Sequence, residues 1–342
     1  MMRIGVIFGG ASPEYEVSLR SAHNVVMHMD REKYDVVMIG ITKTGRWLEF
    51  FGEPAMIADD TWHKDANCVP VIISPCRQHP SSLRLDAAMP IMHGKNGEDG
   101  TVQGLLELAG IPIIGCKTLA SALGMDKGMA RKIAHLAGVN VPKSVVVNGV
   151  VDVQLEYPLF VKPVRAGSSL GITVAQSPAQ LPRAIEVALE YDERVIVEES
   201  VDGFEVGCAI LGSGDDIIIS VVDEIELKKG FFSFHEKYTL ENSVIHVPAR
   251  IPPEKADEIK KAAGTIYNAL GCTGFARVDM FLTPAGSVVF NEVNTIPGLT
   301  AGSRFPKMLA ATGLPFGQVI DKMIETAVNL TVIPKSDNYA DS

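Results

Sequence analysis

Long apolar runs and clusters of basic residues are both missing from this sequence of 342 residues. No stretch approaches the roughly 18 consecutive apolar residues that a membrane-spanning helix needs, and the opening MMRIGVIFGG is too short for the apolar part of a secretion signal. Lys and Arg never cluster beyond a pair, and 31 of them against 41 Asp and Glu give a formal net charge of −10. We therefore expect a cytoplasmic protein whose partners are neither nucleic acids nor membranes.

Paired-cysteine motifs are missing as well. The cysteines are odd in number and widely spaced, and no CxxC occurs among Cys68, Cys76, Cys116, Cys208 and Cys272. This pattern predicts reduced, buried thiols rather than disulfides or a zinc site, and none of them is a candidate nucleophile.

The first third of the chain alternates apolar strands with helical patterns. Strands are predicted at RIGVIFGG, YDVVMIGIT, DAAMPIM and IPIIG, and helices at VSLRSAHNVVMHM and TVQGLLELAG. Because this alternation is typical of a parallel sheet covered by helices, we expect a small parallel α/β domain that ends near residue 118.

The remaining residues predict one long helix and then mainly strands. The helix is LASALGMDKGMARKIAHLAG, and strands follow at PKSVVV, PLFVKPV and RVIVEES. Beyond about residue 206 the pattern becomes antiparallel, with GSGDD as a hairpin turn and ARVDMFLTPAGSVVFNEVN as a strand pair. Helices are also predicted over 254–270 and 314–330, before a polar tail.

The common glycine motifs for phosphate binding do not occur. GIPIIGCKT resembles a phosphate loop only in outline, because Cys116 separates its second glycine from the lysine, and no GxGxxG is present. FVKPVRAGSSLGIT is a better candidate, since Lys162 on a strand precedes a loop of small residues whose N–H groups could approach phosphate oxygens. The alternative for this segment is an ordinary hairpin turn with a solvated lysine.

Acidic and amide side chains recur on the predicted strand pair near the end of the chain. ARVDMF carries Asp279, and VFNEVNT carries Glu292 and Asn294 two positions apart, so the latter two share one face of the sheet. Oxygen ligands of this kind are those that Mg²⁺ prefers beside nucleotide phosphates. The alternative is a solvent-facing edge with two acids.

Several motifs together resemble one enzyme family. The blocks are EYEVS (14–18), HGKNGEDGTVQG (93–104), SALGMDK (121–127), GSSLGI (167–172), GFARVD (274–279) and NEVNTIPGLT (291–300). They resemble the signature blocks of the D-alanine:D-alanine ligases, which are ATP-grasp enzymes, and are most similar to those of VanG-type D-alanine:D-serine ligases. The resemblance implies an α/β (α+β ATP-grasp) chain with a parallel α/β domain (1–118), a central ATP-grasp subdomain (119–199), a C-terminal ATP-grasp subdomain (200–332) and a tail (333–342).

The same resemblance implies ATP as cosubstrate and two Mg²⁺ or Mn²⁺ ions. The implied metal ligands are Asp279, Glu292 and Asn294. The implied ATP-binding residues are Lys127, Lys162, Ser169, Glu198, Glu199, Ser200, Val201, Glu205 and Asn291.

Catalytic and substrate-binding roles are implied in the same way. Glu14 would hold the ammonium of the first D-alanine, and without the family motifs it would be interpreted as a helix-capping acid. His93 would orient that substrate or assist proton removal, and Ser303 would bind the carboxylate of the second one. Arg277 and the backbone near Gly298 would stabilise the tetrahedral oxyanion.

The segment GFFSFHEKYTL (230–240) resembles the lid loop of the family. Lys237 would contact the transferred phosphate, and Tyr238 would reach Ser168 and Glu14. Relatives that use D-lactate lack this Lys-Tyr pair, so its presence favours an amine as second substrate. Asp223 and Phe232 resemble the pair of D-serine ligases, in which the acid would accept a hydrogen bond from the serine hydroxyl.

The sequence therefore predicts a homodimeric D-alanine:D-serine ligase of peptidoglycan precursor synthesis and vancomycin resistance. A D-alanine:D-alanine ligase is the alternative. Two other hypotheses are another ATP-grasp carboxylate–amine ligase and a nucleotide-binding protein without catalysis. The EYEVS and HGKNGEDG blocks disfavour the first, and the presence of Lys162, Arg277 and the three oxygen ligands disfavours the second.

Overall fold

The computed structural model describes residues 1–75, 82–227 and 243–330. Three β-sheets organise these residues, and each sheet is built from a different part of the chain. The four cysteines in the described part are free; Cys116, Cys208 and Cys272 are buried as expected, whereas Cys68 is only partly buried, and Cys76 lies outside this part. None of the described helices is long and apolar enough to cross a membrane.

The first sheet has five strands in the order β4-β3-β2-β1-β5. The strands are β1 (Met2–Gly9), β2 (Tyr34–Ile41), β3 (Trp47–Phe50), β4 (Val69–Pro70) and β5 (Ala87–Ile91). β1 pairs in parallel with β2 and β5, as predicted, whereas β3 and β4 are antiparallel additions that the sequence reading missed.

The predicted strand IPIIG was wrong. Only Ile113 forms an isolated bridge, to Ala88 of β5. Pro112 has no N–H to donate to a ladder, and Gly115, at φ 137°, turns the chain away. The segment therefore touches the edge of the first sheet at a single point.

Helices pack on the first sheet, and the loop after β1 lies at the carboxyl end of that strand. They are α1 (Tyr15–His28), the short α2 (Ala55–Ala58) and α3 (Thr101–Leu108). α1 presents Leu19, Val25 and Val26 to the apolar side chains of β1, all of them buried. Because α1 begins directly after β1, the loop between them brings Glu14 to the end of the strand.

The single long helix predicted for residues 119–138 is two helices. α4 (Thr118–Met125) ends and α5 (Lys127–Leu136) begins at Asp126, whose carboxylate accepts a hydrogen bond from Met129 N at 3.0 Å. This N-cap starts a new helix and so interrupts the apolar periodicity. Buried Ala120, Ala130 and Ala134 pack in the core of the third sheet, not in that of the second.

The second sheet has four antiparallel strands in the order β6-β9-β7-β8. They are β6 (Ser144–Val147), β7 (Leu159–Pro163), β8 (Thr173–Ala175) and β9 (Val195–Glu199), and α6 (Leu181–Leu189) covers one face. The glycine- and serine-containing loop 164–172 joins β7 to β8, so it is the turn of a hairpin.

The third sheet has six strands. They are β10 (Phe204–Ser213), β11 (Asp216–Ile219), β12 (Asp223–Leu227), β13 (Ser243–His246), β14 (Gly274–Leu282) and β15 (Val288–Asn294). The predicted GSGDD hairpin is confirmed by the antiparallel β10–β11 pairing, and the predicted strand pair by β14–β15.

Both faces of the third sheet are covered. Ile259, Ile266 and Tyr267 of α7 (Pro253–Ala269) pack on one face. On the other face, α8 (Arg304–Ala311) and α9 (Phe316–Asn329) join a core that also contains β1 and α1. This arrangement surrounds one region with three segments: the strand ends of the first sheet, the loop 164–172 and the β14–β15 pair.

Candidate active site

Two cavities lie on either side of the end of β15. The first cavity, of about 500 Å³, lies between the second and third sheets. It is lined by all the residues expected to bind ATP, namely Lys127, Lys162, Ser169, Glu198, Glu199, Ser200, Val201, Glu205 and Asn291. The second cavity, of about 530 Å³, is lined by the expected catalytic and substrate residues Glu14, His93, Ser168, Arg277, Gly298 and Ser303.

A buried ion-pair cluster holds the lysine of the first cavity. β7 and β9 pair so that Phe160 lies opposite Glu198, which puts Lys162 and Glu198 on one face of the second sheet. Lys162 Nζ forms an ion pair with Glu198 Oε1, and Arg131 Nη1 forms another with Glu198 Oε2. Burial pushes the pKa of Glu198 up, but the two cations outweigh it and keep that pKa below its ordinary value.

The loop 164–172 lines both cavities. Ser168 and Ser169 have φ values of 49° and 60°, a left-handed conformation that is sparsely populated outside glycine. Lys127 Nζ donates to Ala166 O at 2.6 Å and so ties the start of α5 to this loop. The alternative of an ordinary turn with a solvated lysine does not hold, because Lys162 is buried.

Two of the carboxylates expected to bind ATP already have protein partners. Glu199 Oε1 accepts a hydrogen bond from Glu156 N at 3.0 Å, and its other oxygen lies 3.5 Å from Lys143 Nζ. Glu205 Oε1 accepts from Arg304 Nη1 at 2.7 Å. Both carboxylates line the first cavity.

The expected metal ligands lie where the two cavities meet. Asp279 pairs with Glu292 across β14 and β15, while Glu292 lines the first cavity and Asn294 lines the second. Two carboxylates and an amide oxygen are hard donors that suit Mg²⁺, so the residues present fit the ion. The proposed alternative of a solvent-facing edge fails for Asp279, which is fully buried.

Asp279 is held by cations of the protein itself. Arg277 donates from Nε at 2.8 Å and from Nη2 at 2.7 Å, and Arg304 Nη2 lies 3.3 Å from Asp279 Oδ1. Asn294 Nδ2 donates to Asp279 Oδ2 at 2.8 Å. Burial raises the pKa of Asp279, but Arg277 and Arg304 outweigh it, so the pKa lies below its usual value and the group is an anion at neutral pH.

Glu14 projects into the second cavity rather than capping its helix. It occupies the position before α1 but makes no side-chain capping bond, which removes the capping interpretation. Instead, Ser168 Oγ donates to Glu14 Oε1. A Cβ at Gly167 would lie 2.8 Å from Glu14 Oε2, so glycine is what permits this close approach.

His93 is a neutral group at physiological pH. It is buried, and its Nε2 lies 3.4 Å from Ser21 Oγ. Burial lowers its pKa to about 4, and Arg277 adds to the effect. It can therefore orient a substrate by hydrogen bonding without adding charge.

Gly298 and Ser303 lie close together beside the start of α8. A Cβ at Gly298 would lie 2.8 Å from Ser303 Oγ, and Ser303 Oγ accepts from Thr300 N at 3.2 Å. Both residues line the second cavity together with Arg277. A carboxylate and an oxyanion could thus be bound side by side.

The expectation that Asp223 faces a substrate hydroxyl needs correction. Its carboxylate is fully buried and accepts from Arg304 Nε at 2.6 Å and from Arg304 Nη2 at 2.8 Å. Both oxygens are engaged by this bidentate pair. Arg304 lines the second cavity, whereas Asp223 does not.

Sequence reasoning missed two residues of the second cavity. Arg304 directly follows Ser303, and that adjacency was the available signal. Glu98 lies within HGKNGEDG, lines the cavity and accepts from Gly94 N at 2.7 Å. Loss of hydration, with the nearby charge of Glu14, raises the pKa of Glu98 to about 8.

The expected lid residues Phe232, Lys237 and Tyr238 lie outside the described residues. Their roles therefore stay predictions from the sequence. The strands that flank the segment, β12 and β13, pair antiparallel, and β12 contributes Glu224 and Glu226 to the first cavity.

Comparison with known proteins identifies the family. Residues 3–116 match the family model described as D-ala D-ala ligase N-terminus, and residues 137–325 match D-ala D-ala ligase C-terminus. The structure resembles VanG D-Ala:D-Ser ligase from Enterococcus faecalis with a TM-score of 0.89 and 52% identity, over 95% of this chain and 99% of that one.

Other relatives differ in the acceptor that their names give. A putative D-alanine:D-lactate ligase of Streptomyces coelicolor is 44% identical, over 96% of this chain and 98% of the relative. D-alanine:D-alanine ligase from Bacillus anthracis, solved in complex with ATP, is 29% identical with a TM-score of 0.73, over 97% and 99% of the two chains. With family matches over both parts and these similarities along nearly its whole length, the chain belongs to the D-alanine:D-alanine ligase family of ATP-grasp enzymes.

Proposed function

We propose that the protein is an ATP-dependent ligase that joins D-alanine to D-serine for peptidoglycan precursors of the vancomycin-resistant kind. The observation that supports D-serine as the second substrate is Arg304, a buried guanidinium on the wall of the second cavity. The similarity to VanG D-Ala:D-Ser ligase over almost the whole chain supports it.

Arg304 is fixed in place before any substrate arrives. Asp223 holds Nε and Nη2, Glu205 holds Nη1, and Asp279 lies within ion-pair distance. Burial lowers the pKa of Arg304, but Asp223 and the other acids outweigh it and hold the pKa well above its usual value, so the group stays charged. A serine hydroxyl entering a closed site needs a hydrogen-bond partner, and this guanidinium would donate to it.

The first half-reaction would take place where the cavities meet. ATP occupies the first cavity, with Lys127 and Lys162 near its phosphates, and Glu14 holds the ammonium of the first D-alanine. The carboxylate of that D-alanine attacks the γ-phosphorus, ADP leaves, and an acyl phosphate forms. The two lysines offset the negative charge that accumulates on the transferred group.

Divalent metal would be held by Asp279, Glu292 and Asn294. When bound, it supplies a Lewis acid that neutralises phosphate charge. Asp279 keeps its hydrogen bonds to Arg277 in the structure, so the arginine also fixes the orientation of this carboxylate.

The second half-reaction would take place in the second cavity. The amino group of D-serine, once deprotonated, attacks the acyl phosphate, and phosphate leaves as the peptide bond forms. Arg277 and the backbone at Gly298 would donate to the developing oxyanion, and Ser303 would hold the D-serine carboxylate. His93, being neutral, would orient the first substrate.

The test is an acceptor competition. Phosphate release is measured with ATP and D-alanine alone, with added D-serine, and with added D-lactate, and the products are separated by mass. We expect mainly D-Ala-D-Ser when D-alanine and D-serine are equal in concentration. Mainly D-Ala-D-Ala would establish the alternative D-alanine:D-alanine ligase, and a depsipeptide would overturn the choice of an amine acceptor.

A further inference from the structure

A buried arginine lies behind the first cavity, where sequence reasoning assigned nothing. Arg131 is on α5, and its side chain is only 3% exposed. It forms an ion pair with Glu198, whose other carboxylate oxygen pairs with Lys162. Glu198 and Lys162 line the cavity, whereas Arg131 does not. One carboxylate is therefore shared between a cation in the cavity and a cation outside it.

The hydrogen-bonding capacity of Arg131 is largely unused. Its Nε and Nη2 are buried and have no hydrogen-bond partner among the described residues. Buried donors without acceptors are costly and uncommon in folded proteins. These unpaired N–H groups of Arg131 could donate to Glu198 if that carboxylate lost another partner.

Phosphate binding creates such a stage. Lys162 Nζ lies on Glu198 Oε1 in the structure, and a nucleotide phosphate would draw this flexible ammonium toward itself. Glu198 would then lose one of its two cations within a site where its side chain is only 4% exposed. An unpaired, buried carboxylate is strongly unfavourable, so the loss would oppose phosphate binding.

We propose that Arg131 is a positioning residue for nucleotide binding. It donates additional hydrogen bonds to Glu198 when Lys162 leaves this carboxylate to contact a phosphate. The planar guanidinium offers two parallel N–H groups to one carboxylate, and Nη2 and Nε are the donors in reserve. Arg131 thereby keeps Glu198 compensated in both states and leaves Lys162 able to reorient. This inference rests on the proposed ATP-dependent function and adds a residue outside the cavity to it.

Removal of Arg131 has an expected direction. In Arg131→Met, Lys162 is the remaining cation on Glu198 and is held there more firmly, so phosphates bind less well. We expect ADP affinity to fall about 10- to 100-fold. Adenosine has no phosphate to recruit Lys162, so its affinity should change less than threefold.

The experiment measures binding of ADP and of adenosine, each with Mg²⁺ and without amino acids, by equilibrium dialysis. The wild type, Arg131→Met, Arg131→Lys and Arg131→Met/Glu198→Gln are compared, with Lys132→Met as the matched control. Lys132 is the exposed neighbour on α5, so its replacement also removes one positive charge from that helix. Circular dichroism checks that each variant is folded.

The pattern of losses decides the proposal. Support requires a selective loss of ADP affinity in Arg131→Met, a smaller but still selective loss in Arg131→Lys, which restores the charge without the parallel N–H groups, and a restored ratio of ADP to adenosine affinity in the double variant, whose neutral amide no longer holds Lys162. An equal loss for both ligands, or no loss, overturns the role of Arg131. If Arg131→Met does not fold, an ADP affinity in Arg131→Lys reduced as much as adenosine affinity overturns it as well. Failure of the wild type to bind ADP would instead overturn the proposed function.

Discussion

The two cavities hold their cations in different ways. In the first, Lys162 is a point charge on a flexible stem and meets one carboxylate, Glu198. In the second, Arg304 is fixed by the hydrogen bonds that it donates to Asp223 and Glu205. A lysine can follow a phosphate that changes position during transfer, whereas an immobilised arginine presents one donor geometry and so discriminates between ligands. We infer that the first cavity is suited to phosphoryl transfer and the second to selection of the second substrate.

The largest effect should come from the acids between the cavities. Asp279→Ala or Glu292→Ala removes a carboxylate of the proposed metal site between the cavities, so turnover should fall ~10²-fold or more. Steady-state phosphate release measures it, and additional Mg²⁺ should not restore the rate fully. Asp216→Ala, at an acid that is 86% exposed, is the control. Near-normal turnover in both site variants would show that the metal site lies elsewhere.

A smaller and more selective effect is expected at Arg304. Arg304→Met removes the proposed donor for the serine hydroxyl and leaves the buried Asp223 unpaired. We expect kcat/KM for D-serine to fall by about 10- to 100-fold relative to that for D-alanine, which shifts the products toward D-Ala-D-Ala. Asp223→Ala should shift the ratio the same way by releasing the guanidinium. Arg183→Met, at an exposed ion pair on α6, should leave the ratio unchanged, and equal losses for both acceptors would remove the selective role.

The next effect concerns the approach of the loop 164–172 to Glu14. A methyl group at Gly167 would lie 2.8 Å from Glu14 Oε2, so Gly167→Ala must displace one of them. We expect KM for the first D-alanine to rise about tenfold with a smaller change in KM for ATP. Gly149→Ala is the matched control, because a Cβ there meets nothing within 4 Å. A proportionate rise in both KM values would mean that the whole loop has moved.

The smallest expected effect is a pH dependence of stability from Glu98. With a pKa raised from 4.5 to about 8, folded Glu98 keeps a proton that the unfolded chain releases, so stability falls as pH rises through this range. His93 acts in the opposite direction, but only between about pH 4 and its ordinary 6.5. The melting temperature of Glu98→Gln minus that of the wild type should therefore increase from pH 7 to 9. Glu254→Gln, at an exposed acid of α7, should show no such increase.

Local patterns predicted the elements that form within short stretches. The β10–β11 hairpin and the β14–β15 pair have turn residues between apolar runs, and both are present. The single helix over residues 119–138 was wrong because Asp126 caps α5 by accepting a hydrogen bond from Met129 N and is paired with Arg194, a partner remote in sequence. Periodicity alone carries no information about such a partner.

The candidate site was predictable where its residues belong to family motifs. Those motifs supplied the residues that line each cavity. They did not supply the contacts among them, because Asp223 and Arg304 are separated by 81 positions. Asp223 was predicted to accept a hydrogen bond from a substrate hydroxyl, and the structure pairs its carboxylate with Arg304 instead. Arg131 shows the same limit, since its partner Glu198 comes from a distant strand.

The β14–β15 pair also has a consequence for inhibitor chemistry. Glu292 and Asn294, two positions apart on β15, line different cavities, so the cavities come within roughly 7 Å of each other along this strand. A molecule with one head in each cavity could be joined by a linker of only a few atoms. A short linker keeps the effective concentration of the second head high, so two weak fragments could combine into a strong inhibitor without any new contact.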